Sequence, residues 1–355
     1  MKKILHIVES FGSGVFSFLV DLVNATDSNF DITIAYGVRE ETLKNFKDYF
    51  SDKVKFIEVK NFTRNISFKK DLKALKEIKR ILKEEKPDIV HLHSSKAGIL
   101  GRLALNKSKI KKFYNPHGFS FLKQDDSKFK RNMYWLMEKT IAILNKECTI
   151  IGCSESEYEE AKKINKNSVC INNGINIQKL SKEVANFKEK RIDCNNLKIC
   201  TVGRIGYQKN PIMFNRIAES FPHFEFTWIG DGDLRDKLIS PNIAITGWKT
   251  REEVLEILNE QDVFILCSLW EGLPISLLEA MYLKKICITS DSIGNKDVII
   301  DGKNGFIATE IEDYKNILES IKDLDVIEIK EKAQNDIVNR FDFRNVTKKY
   351  INIYK

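Results

Sequence analysis

The sequence predicts an α/β protein built from two doubly wound parallel-sheet domains that face a common cleft. Short apolar strands alternate with amphipathic helical stretches along the whole chain, such as the one at 69–85. The strands are almost continuously apolar, which is typical of parallel sheets covered by helices on both faces. Each half holds six or seven strands, which favours two open sheets over one eight-stranded barrel. The predicted strands cover residues 3–8, 31–36, 54–59, 88–93, 112–116, 149–153 and 168–172, and then 198–202, 225–229, 243–247, 263–267, 286–290 and 305–308.

A polar stretch rich in Lys, Glu and Asn separates the two strand systems. This composition is typical of a linker between domains. We therefore predict an N-terminal domain at 1–180, a linker at 181–196 and a C-terminal domain at 197–340. A last helix, at about 340–355, is expected to pack back on the N-terminal domain.

Composition and length are those of an ordinary globular protein. The chain has 355 residues, of which 43% are hydrophobic and 30% charged, and this excludes extensive disorder. No run approaches the roughly 18 consecutive apolar residues of a membrane span. The apolar N-terminal stretch is interrupted by Glu9 and has no cleavage site, so we interpret it as a buried strand of a cytoplasmic protein. The seven cysteines contain no Cys-x-x-Cys pair and are expected to be free thiols.

The positive charge is concentrated in the first part of the chain. Residues 1–200 carry a net charge of +13 and residues 201–355 a net charge of −5. This asymmetry suggests that one domain meets an anionic surface, either nucleic acid or an anionic membrane leaflet. Solvated lysine-rich helix faces would give the same pattern. No recognised motif supports nucleic acid as a partner.

The loops that follow strands are the places to search for a ligand site in such sheets. Gly12, Ser13 and Gly14 follow the first strand and open a helix, whose free amides could approach a phosphate. A plain tight turn is the alternative. His91 and His93 share one face of a strand, and with no third ligand nearby in sequence they are expected to be strand-end residues rather than a metal pair.

Two features of the second half point to an anionic ligand with hydroxyl groups. Arg204 and Lys209 lie among glycines before a helix and could clamp a diphosphate. Glu271 lies in a loop and Glu279 in the helix that follows, so they could accept hydrogen bonds from different parts of one ligand. The turn at 230–233 contains two Asp residues, but Asp and Gly are ordinary turn residues, and a metal site there is not favoured.

Together these motifs resemble the retaining, two-domain nucleotide-sugar glycosyltransferases known as family 4 or group 1, which have the GT-B fold of two Rossmann-like domains. The resemblance spans nearly the whole chain and is clearest in the C-terminal half. It is carried by the segments Gly203-Arg204 with Lys209, Gly230-Asp231-Gly232, Glu271 to Glu279, Asp301-Gly302-Lys303-Asn304-Gly305 and, at the domain junction, Asn173-Gly174-Ile175.

The resemblance implies a hexosyltransferase-type enzyme that takes a sugar from a nucleotide-diphosphate donor, with UDP favoured over GDP, and needs no metal or other cofactor. Glu271 and His117 would be the catalytic residues; Glu271 would contact the donor sugar, and His117 would face the transferred sugar or the acceptor. Glu279 would bind the ribose. The other donor-binding residues would be Gly12, Ser13, Gly14, Arg204, Lys209, Gly272 and Leu273.

This sequence departs from the family pattern in the loop after Glu271, where many members have Phe-Gly. Pro274 has no amide to offer a phosphate. The usual glycine-rich loop before a glutamate reads Gly294-Asn295-Lys296-Asp297, and we carry over no role for Asp297. These differences leave the reaction class in place and the identity of the donor open.

The segment 119–146 interleaves aromatic and aliphatic residues with lysines and an arginine. It is typical of a peripheral contact with the inner face of a membrane, or else of a core helix with a solvent-exposed basic face. With a membrane contact, the acceptor would be a lipid-linked saccharide for a surface polysaccharide or glycolipid. A UDP-sugar epimerase of the same architecture is the main alternative, and a nicotinamide oxidoreductase is disfavoured because the third glycine of its fingerprint is missing.

Overall fold

The computed structural model describes residues 1–9, 11–39, 42–63, 65–188 and 191–355, without the side chain of Ser13. Part of the predicted linker, residues 189 and 190, lies outside this description. The chain forms two compact units: Met1–Asn173 with Arg344–Lys355, and Gly174–Phe343. Both are α/β units with a fully parallel sheet, which confirms the predicted fold class.

The first unit has a seven-stranded sheet. Its strands are β1 (Lys2–Val8), β2 (Phe30–Tyr36), β3 (Lys55–Glu58), β4 (Ile89–His93), β5 (Lys111–Asn115), β6 (Thr149–Gly152) and β7 (Ser168–Cys170), in the order β3-β2-β1-β4-β5-β6-β7. All five residues of β4 are buried, as expected of a central strand covered on both faces.

Five helices connect these strands, and a sixth returns from the end of the chain. They are α1 (Ser13–Thr26), α2 (Phe68–Glu85), α3 (Ser95–Ala104), α4 (Lys128–Leu144), α5 (Glu155–Ile164) and the last helix, Phe343–Tyr354, with short 3₁₀ turns at Phe46–Tyr49 and Ser120–Leu122. In the last helix, Val346, Tyr350 and Tyr354 recur every four residues and are buried. Its end is held by Lys2, whose Nζ donates to the carbonyl of Lys355 at 2.7 Å.

The second unit has a six-stranded sheet and begins earlier than the predicted boundary at 180. Its first helix contributes the buried Leu180, and Glu183 of that helix pairs with Arg251, so this segment packs with the unit that follows it. The strands are β8 (Lys198–Val202), β9 (Glu225–Ile229), β10 (Ile243–Ile245), β11 (Val263–Leu266), β12 (Ile286–Ser290) and β13 (Phe306–Ala308), in the order β10-β9-β8-β11-β12-β13.

The helices of the second unit flank this sheet. With the last helix of the chain numbered α12, they are α6 (Ile177–Glu183), α7 (Pro211–Ser220), α8 (Arg251–Asn259), α9 (Ile275–Tyr282), α10 (Ile311–Ser320) and α11 (Val326–Arg340), with 3₁₀ turns at Tyr207–Lys209, Arg235–Lys237 and Ile321–Asp323. Phe214 of α7 packs edge-on against Trp228 of β9 with ring centroids 5.1 Å apart, and both side chains are buried in the core. Among the described residues, no helix combines the length and apolar character that crossing a bilayer requires.

Each sheet has one point where the strand order reverses. In the first unit it lies between β1 and β4, and in the second between β8 and β11. Ligands of doubly wound sheets bind beyond the carboxyl ends of the strands at this point. The loops that carry most of the candidate residues follow these strands.

Candidate active site

The loop after β8 depends on a glycine at its first position. Gly203 has φ +141°, and a Cβ there would lie 2.8 Å from Cε of Lys209, so the lysine side chain crosses directly over Gly203. The carbonyl of Gly203 accepts a hydrogen bond from Nε1 of the buried Trp228 at 2.8 Å. The glycine is therefore required both by the backbone conformation and by the path of Lys209.

Lys209 reaches Glu271, which lies in the loop after β11. Lys209 Nζ is 2.7 Å from Glu271 Oε1, and the two side chains are only 15% and 10% exposed. Gln208 Nε2 donates to the other carboxylate oxygen, Oε2, at 3.2 Å and to the carbonyl of Trp270 at 2.9 Å. The structure thus brings together Lys209, which is expected to bind the donor diphosphate, and Glu271, which is expected to contact the donor sugar.

Arg204, the other residue of the predicted diphosphate clamp, contacts a different carboxylate. Its Nη2 forms an ion pair with Asp233, whose side chain is 73% exposed. Such exposed pairs contribute little because solvent screens them. Asp231 is paired as well, with Arg235 at 2.8 Å. Both carboxylates of the Asp-x-Asp turn therefore have an arginine partner.

The loop between Glu271 and α9 is fixed by close packing against the loop after β12. Gly294 has φ +87°, and a Cβ there would lie 2.4 Å from the carbonyl oxygen of Gly272. The amide of Glu271 donates to the carbonyl of Ile293 at 3.2 Å, and Leu273 is 4% exposed. The departure from the family pattern at 272–274 thus still gives a well-packed loop.

Glu279 is buried in α9 and has a partner that the sequence did not suggest. Its Oε1 is 2.5 Å from Nη1 of Arg251, a close ion pair. Arg251 also contacts Glu183 Oε2 through Nε at 3.4 Å. Burial raises the pKa of Glu279 above its usual value, and Arg251 opposes this effect. Arg251 therefore favours the ionised form of this carboxylate.

In the first unit, the turn after β1 leaves the start of α1 without a side-chain cap. Gly12 is the N-cap residue in an extended conformation, and the first turn has no acidic residue. A Cβ on Gly14 would meet no atom within 4 Å, so space lies open beside this turn. Such a helix start offers amides and a positive dipole end to an anion.

Three histidines lie side by side on the central strands of the first sheet, although only two of them are close together in the sequence. His6 on β1 is the register partner of His91 on β4. His6, His91 and His93 bring ring nitrogens within 4.8 Å of one another, so a histidine that is distant in the sequence lies beside the pair in space. The strand-end interpretation agrees with their contacts, because His91 bonds Tyr354 and Asn115 at 2.6 Å each.

His117 continues this cluster beyond the end of β5. Its Nε2 is 3.1 Å from Nδ1 of His93, and its backbone has φ +53°, an unusual conformation for a residue other than glycine. Burial lowers the pKa of His117 to about 3, so the ring is neutral at physiological pH.

Sequence reasoning missed Gln208, Arg251 and His6. Arg251 follows a Thr that starts a helix with Glu three residues later, a pattern that marks the helix but not the ion pair. His6 could have been found by aligning β1 with β4, since neighbouring parallel strands at a switch point place their residues side by side.

Solved structures with similar folds cover nearly the whole chain. A sucrose-phosphate synthase from Thermosynechococcus elongatus matches with a TM-score of 0.80 over 99% of this chain and 98% of its own, at 14% identity. The Anabaena protein HepE, solved in complex with UDP and glucose, matches with a TM-score of 0.76 over 99% of both chains, at 16% identity. With its two parallel doubly wound sheets, the chain has the GT-B fold of glycosyltransferases.

Sequence comparison identifies the family. Residues 12–179 match the model of Glycosyltransferase Family 4 and residues 182–339 that of Glycosyl transferases group 1. An Escherichia coli relative, UDP-Gal:alpha-D-GlcNAc-diphosphoundecaprenol alpha-1,3-galactosyltransferase, is 32% identical over 86% of this chain and 85% of its own length. The protein belongs to this glycosyltransferase family and is a hexosyltransferase-type enzyme, which confirms the predicted class and disfavours the epimerase.

Proposed function

We propose that this glycosyltransferase takes a hexose from a UDP-sugar and transfers it, with retention of configuration, to a lipid-linked saccharide acceptor. The single observation that carries the donor half of this proposal is the contact of Lys209 with Glu271 at the switch point of the second sheet. The names of the relatives support UDP and the lipid: the Escherichia coli enzyme uses UDP-Gal and a diphosphoundecaprenol acceptor, and HepE was solved with UDP and glucose.

In this proposal Lys209 binds the donor diphosphate while Glu271 accepts hydrogen bonds from the sugar hydroxyls. The ammonium group can turn from the carboxylate to a phosphate oxygen, which is also a charge-assisted contact. Arg204 can join it, since its pair with the exposed Asp233 is weak. These cations stabilise the negative charge that develops on the leaving diphosphate as the bond to the anomeric carbon breaks.

The remaining donor contacts follow from the same loop and helix. Glu279 accepts hydrogen bonds from the ribose hydroxyls, and the backbone of Gly272 and Leu273 lines the donor site. In the first unit, the helix start at Gly12–Gly14 is suited to a phosphate, and His117 faces the transferred sugar or the acceptor. We expect no metal to be required, because Lys209 and Arg204 supply the positive charge; turnover that is lost with EDTA and restored by Mg²⁺ would contradict this.

The test of the donor assignment compares a variant at the Lys209–Glu271 contact with a control variant elsewhere in the same unit. Glu271→Gln keeps the shape of the side chain but removes its charge, and we expect turnover to fall while UDP binding is largely kept. Lys237→Gln, an exposed lysine of the same unit, is the control and should leave both unchanged. Full activity of Glu271→Gln at saturating and at limiting donor would overturn the role of Glu271.

The lipid-linked acceptor is supported by the surface of α4. Phe129, Met133, Leu136, Ile143 and Leu144 are exposed, Phe129 by 82% and Leu136 by 60%. At 3.6 residues per turn these positions share one face, opposite the buried Glu138 and its neighbours.

Exposed lysines lie at both ends of this apolar face. Lys128 is at its start and Lys146 just beyond its end, and neither forms an ion pair with any described residue. An apolar helix face with lysines at its edges fits an anionic bilayer, where each basic residue contributes about 1 kcal/mol of attraction.

Vesicle flotation tests this membrane contact. The protein should float with vesicles that contain anionic lipid at low salt, and a Phe129→Ser/Leu136→Ser variant should not. Ile327→Ser removes an equally exposed apolar residue, 70% accessible, from the second unit and should float as the unchanged protein does. Absence of flotation at low salt, or equal loss in the control, would overturn the membrane contact.

A further inference from the structure

Three histidine rings of the first unit are hydrogen-bonded in a row that ends at His117. His6 Nδ1 lies 3.0 Å from His93 Nε2, and His93 Nδ1 lies 3.1 Å from His117 Nε2. His6 and His93 are fully buried, whereas His117 keeps some exposure to solvent. The row therefore runs from the inside of the sheet to the residue assigned to the transferred sugar or the acceptor.

The protons in this row can be arranged in only two ways. Burial lowers the pKa values of all three rings, to about 3 for His6 and His117, so each ring is neutral and carries one N–H. If His93 donates from Nδ1, then His6 donates from Nδ1 and His117 carries its proton on Nδ1. If His93 donates from Nε2, then His117 carries its proton on Nε2, and His6 carries one on its own Nε2.

The surroundings of His6 decide between these arrangements. Its Nε2 is buried and has no hydrogen-bond partner among the described residues. A buried N–H without an acceptor is rare and costly, whereas an unsatisfied acceptor is tolerated better. The arrangement with unprotonated Nε2 on His6 is therefore favoured, and it places the proton of His117 on Nδ1.

We propose that His6 and His93 are positioning residues that hold His117 as its Nδ1–H tautomer, so that His117 offers a hydrogen-bond donor to a substrate oxygen. No described residue takes up Nδ1 of His117, which leaves this nitrogen for a ligand. The identity of the ligand rests on the proposed function, but the tautomer does not. His117 in this form donates a hydrogen bond and does not act as a general base.

The backbone beside His117 is held firmly enough to support this role. The amide of Gly118 donates to Oε1 of Glu157 at 2.6 Å, and Oε2 of the same carboxylate accepts from the amide of Cys153 at 2.8 Å. Phe18 packs edge-on against the His117 ring with centroids 5.1 Å apart. The ring is thus fixed before any ligand arrives.

A metal ion at His6, His91 and His93 would require different hydrogen bonds. Both nitrogens of His91 and both of His93 are engaged, as is Nδ1 of His6. An ion would have to displace several of these contacts, because only Nε2 of His6 is without a partner among the described residues. The contacts therefore favour the row of hydrogen bonds.

Nitrogen NMR of the unliganded protein tests the tautomer directly. The chain has five histidines, so selective ¹⁵N labelling gives ten ring signals, and the exposed His223 serves as an internal reference. In the unchanged protein we expect His117 to carry its proton on Nδ1. A proton on Nε2 of His117 would overturn the proposal, as would stoichiometric Zn²⁺ that shifts the signals of His6, His91 and His93.

Two variants of His93 separate positioning from mere packing. His93→Asn keeps an N–H donor close to the place of Nδ1, so the His117 tautomer should be unchanged and turnover should stay within about twofold. His93→Phe keeps the bulk but removes the donor, so His117 should return to the Nε2–H form and turnover should fall about tenfold. Equal tautomers in both variants would overturn the role of His93.

The unliganded spectrum also distinguishes the two proposals. If the expected sugar transfer is not found, the tautomer of His117 in the unchanged protein still decides the role of His6 and His93. If transfer is found but His117 carries its proton on Nε2, the proposed function stands and the positioning role fails.

Discussion

Replacement of Glu279 by alanine should weaken nucleotide binding more than it slows transfer. Glu279 is 6% exposed and lies 2.5 Å from Arg251. In the proposed complex its carboxylate accepts hydrogen bonds from the ribose, and a charge-assisted hydrogen bond contributes about 1.5–3 kcal/mol. Its loss corresponds to a Kd for UDP that is about 10- to 150-fold higher. Turnover at saturating donor should change much less, because the ribose takes no part in bond breaking.

The same replacement also affects stability, and this must be measured separately. Arg251 loses one carboxylate but keeps its contact with Glu183 at 3.4 Å. We therefore expect a loss of about 1–3 kcal/mol in the free energy of unfolding, below the cost of an isolated buried charge. Urea unfolding of the variant at the temperature of the binding assay gives this value and shows whether the protein is folded there.

Isothermal titration calorimetry with UDP and with uridine is the deciding assay. Both ligands contain the ribose, so Glu279→Ala should weaken the binding of both by similar factors. Glu256→Ala, an exposed glutamate on α8, should bind both ligands as the unchanged protein does. Unchanged Kd values together with a large fall in turnover would refute the ribose assignment and would point to a role of Glu279 in the chemical step.

Three further predictions concern the charged pairs. Lys209→Met should raise the Kd for UDP about 10- to 150-fold and leave that for uridine unchanged in calorimetry; equal losses for both ligands would contradict a diphosphate contact. Arg251→Met removes a group that lowers the pKa of the buried Glu279, so the carboxylate should protonate at a higher pH. On acidification, UDP affinity should therefore begin to fall at a higher pH than in the unchanged protein. Identical pH profiles of the UDP Kd in calorimetry would contradict this. Glu138→Leu leaves Arg102 buried beside Tyr114 without its carboxylate and should cost about 3–5 kcal/mol in urea unfolding; the double variant Arg102→Met/Glu138→Leu should be the more stable of the two, and the reverse order would show that Arg102 finds another partner.

The sheets could be predicted from the sequence because buried parallel strands carry a strong local signal. Segments such as Lys198–Val202 and Glu225–Ile229 are apolar, short and separated by helices, and the structure has them with the same bounds. The glycine after β8 was an equally good indication of a loop, because the backbone of Gly203 adopts a conformation that favours glycine. Helix faces were less certain: within the amphipathic helix predicted at 69–85, Leu72 is 45% exposed, while Ala74 and Ile81 are buried.

Contacts between distant segments could not be predicted in the same way. The row of histidines depends on β1 lying beside β4. The ion pair of Arg251 with Glu279 joins the first residue of α8 to the buried side of α9. Polar side chains can bond many partners, so their sequence positions do not select one. The structural division lies a few residues before the predicted boundary at 180 for a related reason, since the polar composition of 181–196 does not show that Leu180 is buried in the second unit.

Sugar transfer to a defined acceptor tests the central proposal most directly. The protein is incubated with a UDP-hexose and a synthetic polyprenyl-diphosphate-linked saccharide, and the product is analysed by mass spectrometry and by NMR of the new glycosidic bond. We expect an acceptor extended by one hexose with the anomeric configuration of the donor, and much less product with the Glu271→Gln variant. Conversion of free UDP-hexose to its epimer without an acceptor, or transfer from GDP-hexose but not from any UDP-hexose, would contradict the proposed function.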